Sequence, residues 1–195
     1  MSFVRRALVT ACFLIVASEL LLAQFPMPAN KPQEDTQPAQ IRELVSKYCR
    51  LDYEGLRLEP GQSWTRFQPL VLWTAAPEYS RVDVVARYAV EPGSGPEHNK
   101  SSVTVHYRLL GTFDPSFGYV REPEGTNQDV FFSLSSQNGD WRIADADNTL
   151  PHPSRGAMLK WLAQQIATIQ DAGIKTRYQI ALETLQAQSA SPFAK

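Results

Sequence analysis

Arg81-Val82-Asp83-Val84-Val85-Ala86-Arg87-Tyr88-Ala89-Val90 is the stretch on which the fold turns. Read with a period of two, Val82, Val84, Ala86, Tyr88 and Val90 fall on one face, while Asp83 and Arg87 fall on the other. That alternation marks a strand with one side on a core and one in water. Downstream, Val103, Val105, Tyr107 and Leu109 alternate with Thr104, His106 and Arg108. Val130, Phe132 and Leu134 form a third strand and Trp141 to Ala144 a fourth, joined by Asn138-Gly139, two residues that tolerate positive φ in a tight hairpin. Gly111 to Gln128 reads as a long connection containing Phe113, Phe117 and Tyr119.

Helices flank this sheet. Ile41, Leu44, Val45 and Tyr48 recur at three- and four-residue steps, predicting a helix from Pro38 to Leu51 with Thr36 as its N-cap. Ser63 to Trp73 admits either a short helix capped by Ser63 or an extended segment, because Pro69 interrupts it. After Pro151 and Pro153, Ser154 caps a helix carrying Met158, Leu162, Ile166 and Ile169 on one side, with Gly173 as its stop. Ile174, Tyr178, Leu182 and Leu185 repeat the pattern in a second helix. The expected class is therefore α+β: a curved antiparallel sheet of four to five strands on an N-terminal helix, with a C-terminal helical pair.

The chain has 195 residues, 43% of them hydrophobic and 20% charged, enough for one domain with a real core. Arg5 and Arg6 followed by the apolar run Ala7 to Leu22 form an export leader, cleaved after Ala23 or after Ser18. An uncleaved anchor is the rival reading, since a span needs roughly 20 apolar residues, but Glu19 interrupts the run. Val9-Thr10-Ala11-Cys12 has the form of a lipoprotein box, yet it comes too soon after Arg6. The expected layout is a signal peptide over 1–23, a proline-rich disordered linker over 24–37, a single domain over 38–186 and a loose tail over 187–195, with periplasmic or extracellular residence. Any contact with a membrane would run through an uncleaved leader.

Loss of the leader takes two of the 19 Lys and Arg and one of the 20 Asp and Glu, leaving 17 against 19. Nucleic-acid binding needs clustered cations to neutralise phosphates, and no run in the chain supplies them, so that class is excluded from the expectation. Cys49 is then the single mature cysteine; it reads as a buried thiol on the first helix, unable to form an internal disulfide.

The sheet's closing segments, Phe131-Phe132-Ser133-Leu134 and Gly139-Asp140-Trp141-Arg142-Ile143-Ala144, resemble the end of the nuclear transport factor 2-like superfamily. The resemblance covers Pro38 to Asp147 and rests on a short aromatic motif. It implies a cone in which a curved sheet wraps around helices, and a family with both enzymes, such as isomerases and dehydratases, and non-catalytic binders. The chain departs from the family in having less helix before the sheet and a helical extension, Ser154 to Gln186, after it. No family catalytic residue aligns with this sequence.

Candidate chemistry is sparse. His106 shares a predicted face with Asp83, which pairs them as a candidate acid and base if that face lines a pocket and as solvated residues if it does not. His98 and His152 lack metal-ligand spacing, and Asp145-Ala146-Asp147-Asn148 lacks the glycine and glutamate of a calcium loop, so no metal and no cofactor is expected. Tyr88, Tyr107, Phe132 and Trp141 are core aromatics that also form the candidate lining of an apolar ligand site. The leading expectation is an exported, non-catalytic domain that binds a small apolar ligand or a partner protein, with the oligomeric state open. The alternatives are an isomerase- or dehydratase-type enzyme, or an assembly module docking through an exposed stripe at Ile174, Tyr178 and Leu182.

Overall fold

The computed structural model describes residues 36–59, 61–91 and 97–188. The expected leader, nearly all of the linker and most of the tail lie outside them. The chain runs α1 (Thr36–Tyr53), three short 3-10 turns (Leu56–Leu58, Gln62–Arg66, Gln68–Leu70), β1 (Val82–Glu91), β2 (Lys100–Asp114), β3 (Gly118–Arg121), β4 (Asn127–Gln137), β5 (Asp140–Ala146), α2 (Arg155–Thr168) and α3 (Ala172–Ala187). It is an α+β fold: an open antiparallel sheet of five strands, ordered β1-β2-β4-β5 with β3 also on β2, one N-terminal helix and two C-terminal helices.

The expected long connection is in part sheet. β2 continues to Asp114 and turns back through β3, so Phe113 and Tyr119 become cross-strand partners. Asn138 and Gly139 close the β4–β5 hairpin at φ 56° and 89°, the left-handed conformation that a two-residue hairpin turn requires. Ser63 to Trp73 is neither of the two expected forms alone: two 3-10 turns end in an extended Val71 that bridges Ile143.

The stripe expected from Val82 to Val90 does not hold, and the reason is local. The β1–β2 register slips twice, between Val84 and Val85 and between Val85 and Arg87, leaving Leu110 of β2 and Ala86 of β1 as extra residues. Each bulge moves every following side chain to the opposite face of its strand. Val85, Tyr88, Val103, Val105 and Tyr107 therefore pack with Ile41, Val45 and Tyr48 of α1, in one core with Phe132, Trp141 and Ile143. Val82, Val84 and Phe113 face the other way and pack with Met158 and Leu162 of α2 and Tyr178 and Leu185 of α3. One sheet thus supports two cores, and each fully buried large apolar side chain contributes about 2–3 kcal/mol.

The second core explains the C-terminal helices. Tyr178 is buried edge-on against Phe113, centroids 5.0 Å apart, with Trp161 at 5.9 Å, so the predicted stripe of α3 turns its middle residue onto the sheet and leaves Ile174 and Ile180 exposed. Ser154 caps α2 by accepting from the Ala157 N–H, as expected, but α2 ends at Thr168 and Gly173 lies in the first turn of α3, which Asp171 caps. The start of the expected loose tail is fixed: buried Gln188 accepts from the Tyr119 hydroxyl at 2.7 Å and donates to the Leu110 carbonyl at 2.9 Å.

The free edge of β1 is covered by residues 151–154. Asp83 and Val85 donate backbone N–H groups to the carbonyls of Pro151 and Pro153, and Val85 bridges Ser154 in parallel. Prolines suit this strip because they accept without offering a donor. The N–H of the intervening His152 points inward, towards α1.

Candidate functional site

That inward N–H begins a buried polar chain at the C-terminal end of α1. Gly55, at φ 84°, ends the helix in the left-handed conformation, and a Cβ there would lie 2.9 Å from the Ala157 Cβ. The turn brings Arg57 back beneath Asp52. Asp52 Oδ2 accepts the His152 N–H at 3.0 Å and lies 3.6 Å from His152 Nδ1 and 3.7 Å from Arg57 Nη1. Arg57 also donates to the carbonyls of Leu150, at 3.0 Å, and Thr149.

On its far side His152 Nε2 meets Gln128 Oε1 at 3.0 Å, and Gln128 Nε2 donates to Asp83 Oδ2 at 3.2 Å. An amide oxygen only accepts, so this orientation places a proton on His152 Nε2. Asp83 Oδ1 accepts from the Thr112 hydroxyl at 2.9 Å, completing the chain. The Tyr107 ring stacks on His152 with centroids 4.0 Å apart, and its hydroxyl donates to Cys49 Sγ at 3.4 Å. Burial pushes the Cys49 thiol up to about 12 and the Tyr107 phenol well above its ordinary value, so both stay neutral. Asp52, Asp83 and His152 are 1–3% exposed. Their side chains are held within the chain, Asp83 by Thr112 and Gln128 and His152 by Gln128 and Asp52, but Asp52 Oδ1 is buried without a partner.

Beside this chain lies a cleft of about 380 Å³ lined by Leu56, Arg57, Glu59, Ser63, Trp64, Ala76, Pro77, Glu78 and Tyr79. Its walls are mostly carbon. Trp64 stacks between Phe67 (5.4 Å) and Trp73 (6.4 Å), and Tyr48 closes the stack edge-on against Phe67 at 5.3 Å. The Tyr79 hydroxyl donates to the Arg57 carbonyl at 3.1 Å. Arg57 thus belongs to both features, its guanidinium anchored inward in the polar chain and the residue itself forming part of the cleft.

The candidate residues read from the sequence fall elsewhere. Tyr107, Phe132 and Trp141 are buried in the α1-side core and Tyr88 is half-buried there, its ring 6.1 Å from that of Tyr107. Phe132 lies against Tyr48 at 5.6 Å, and none of the four lines the cleft. His106 and Asp83 do not form a pair. The two bulges put Asp83 on the α1 side opposite Thr112, whereas His106 sits opposite Ala89 on the exposed side. His106 Nδ1 meets Asp129 at 2.7 Å and Nε2 meets Glu91 at 2.8 Å. Two carboxylates on two ring nitrogens call for the doubly protonated imidazolium, and these bonds, Asp129 first and Glu91 second, raise its pKa above 6.5.

In the Asp145–Asn148 turn the side-chain oxygens of Asp145, Asp147 and Asn148 each accept a backbone N–H, from Ala146, Phe131 and Leu150. Sequence reasoning missed Asp52, Arg57, Trp64, Tyr79 and the inward role of His152. The available signals were Gly55 directly after an amphipathic helix, and a histidine between two prolines that must face one way in an extended strip.

The geometry thus defines an α+β domain with an aromatic-walled cleft set against a buried ionic chain. No family model, curated protein or solved structure matches this chain.

Proposed function

We propose that this chain is an exported, non-catalytic binding domain that holds a small, largely apolar ligand in the Trp64–Tyr79 cleft, on a cone-like fold of the nuclear transport factor 2-like type. One observation carries the reading: the cleft is open and carbon-walled, while Asp52, Arg57, His152 and Asp83 behind it are buried and held by one another, by Gln128 and Thr112 and by the backbone. Concave, mostly apolar sites with few polar groups are the usual form of small-ligand sites. The stack Phe67–Trp64–Trp73 holds the wall in place before a ligand arrives, which lowers the ordering cost of binding.

Titrating the ¹⁵N-labelled protein with small aromatic probes tests this. Shifts confined to Trp64, Tyr79 and Leu56, abolished by Trp64→Ala, are the expected result. Shifts centred on Tyr107 and Phe132 would move the ligand into the core instead, and no shift at any probe concentration would end the reading.

A second reading, an acid–base enzyme of the isomerase or dehydratase type, draws on the unpartnered Asp52 Oδ1 beside His152. It requires a ligand that reaches Asp52, so it stands only if Asp52→Asn loses turnover of a probe that the variant still binds.

A further inference from the structure

The charge around the cleft narrows the ligand class. Among the residues that line it, Arg57 is the one cation, and its guanidinium is directed away into the interior, donating to the Leu150 and Thr149 carbonyls with Asp52 as counter-charge. Two lining residues, Glu59 and Glu78, are exposed acids, and neither forms an ion pair with another described residue. The charge left over at the cleft is therefore negative. The half-buried Tyr79 ring adds an aromatic face that carries negative potential, while Trp64, stacked on both Phe67 and Trp73, adds carbon wall alone.

Resting on the binding reading above, we infer that the cleft selects an organic cation: an alkylated or aromatic ammonium with enough hydrocarbon to cover the Leu56, Pro77 and Trp64 walls. Three features act in the same direction. An aromatic face attracts a cation within about 6 Å of its centroid. Carboxylates at the rim add Coulomb attraction that salt screens. A carbon-walled cleft accepts the weakly hydrated alkyl groups of a quaternary ammonium more readily than a compact, strongly hydrated metal ion or primary ammonium. An anionic ligand of the same shape meets the two carboxylates and finds the lone arginine already engaged.

The test uses benzyltrimethylammonium as the cation, benzyl alcohol as a neutral aromatic and benzoate as an anion, each titrated into the full chain with Trp64 and Tyr79 resonances as the readout. The cation is expected to bind about fivefold or more tightly than benzyl alcohol, with benzoate weakest. Glu59→Gln with Glu78→Gln should bring the cation's affinity down to about that of benzyl alcohol and leave benzyl alcohol within about twofold of its original value. Raising the ionic strength should weaken the cation alone. Both glutamates are exposed, so an unchanged thermal unfolding curve certifies the variant. If benzyl alcohol or benzoate occupies the cleft as tightly as the cation, or if the double variant leaves cation binding untouched, the charge inference is overturned while the cleft remains a binding site. If none of the three probes shifts the cleft resonances, the binding reading fails and takes this inference with it.

Discussion

Replacing Asp52 by alanine is the most demanding test of the buried chain. Asp52 is 1% exposed and is the counter-charge of Arg57 at 3.7 Å. Two unit charges at that separation attract by about 4 kcal/mol at an effective dielectric of about 20. The alanine variant loses that attraction and leaves Arg57 buried with carbonyl partners alone. It also strips the His152 N–H of its acceptor, and an orphaned buried donor costs about 1–3 kcal/mol. Losses that share one carboxylate are not additive, and removing one partner of a buried ion pair costs about 3–5 kcal/mol. We therefore expect about 4 kcal/mol, a large part of the roughly 5–15 kcal/mol typical of a domain. Urea unfolding followed by tryptophan fluorescence measures it, as a fall in midpoint at unchanged slope.

Two companions sharpen the result. Asp52→Asn keeps an acceptor for His152 and removes only the charge, so it should cost less than the alanine. Asp52→Leu combined with Arg57→Met removes the pair together and should regain much of the loss, since a buried ion pair contributes little net stability against apolar residues of similar size. A loss below about 1 kcal/mol for Asp52→Ala would show that the carboxylate is not holding Arg57. A double variant as unstable as the two single losses combined would refute the coupling itself.

Gly111→Ala places a Cβ against the Tyr119 ring and the Val120 carbonyl, so it should cost about 2–3 kcal/mol and loosen β3, seen as faster hydrogen exchange at Val120. His106 should titrate above 6.5 by NMR and return towards it in Asp129→Asn. Its folded pKa lies above the unfolded one, so its bonds add stability that is fully present below about 6.5 and is lost as pH rises through the folded value. Cys49, buried with its thiol pushed up to about 12, should react with a thiol reagent only at the rate of global unfolding; fast labelling of the native protein would contradict its burial.

Much of the fold was legible because its signals are local. The period of Ile41, Val45 and Tyr48, the alternation of Val130, Phe132 and Leu134, and the Asn138-Gly139 turn each act over a few residues, and each produced the expected element. The face assignments of β1 were not legible. Ala86 and Leu110 are ordinary strand residues, and only the pairing of two strands makes each of them one residue too many. This slip carried Asp83 inside and left His106 outside, undoing their predicted pairing. β3 was hidden for a related reason: four residues have little period of their own and become a strand by pairing with β2.

By itself the sequence determined the class of the fold, an antiparallel sheet with one helix before it and two after, because backbone periodicity and turn stereochemistry are properties of neighbouring residues. Only the tertiary structure decided which groups meet. Asp52 and His152 are a hundred positions apart, and the Trp64–Tyr79 cleft exists because 3-10 turns and an extended segment converge. No periodicity encodes either arrangement: the first arises where the strip at 151–154 packs His152 against the end of α1, and the second where segments around Leu56, Trp64 and Tyr79, each without a regular repeat, come together.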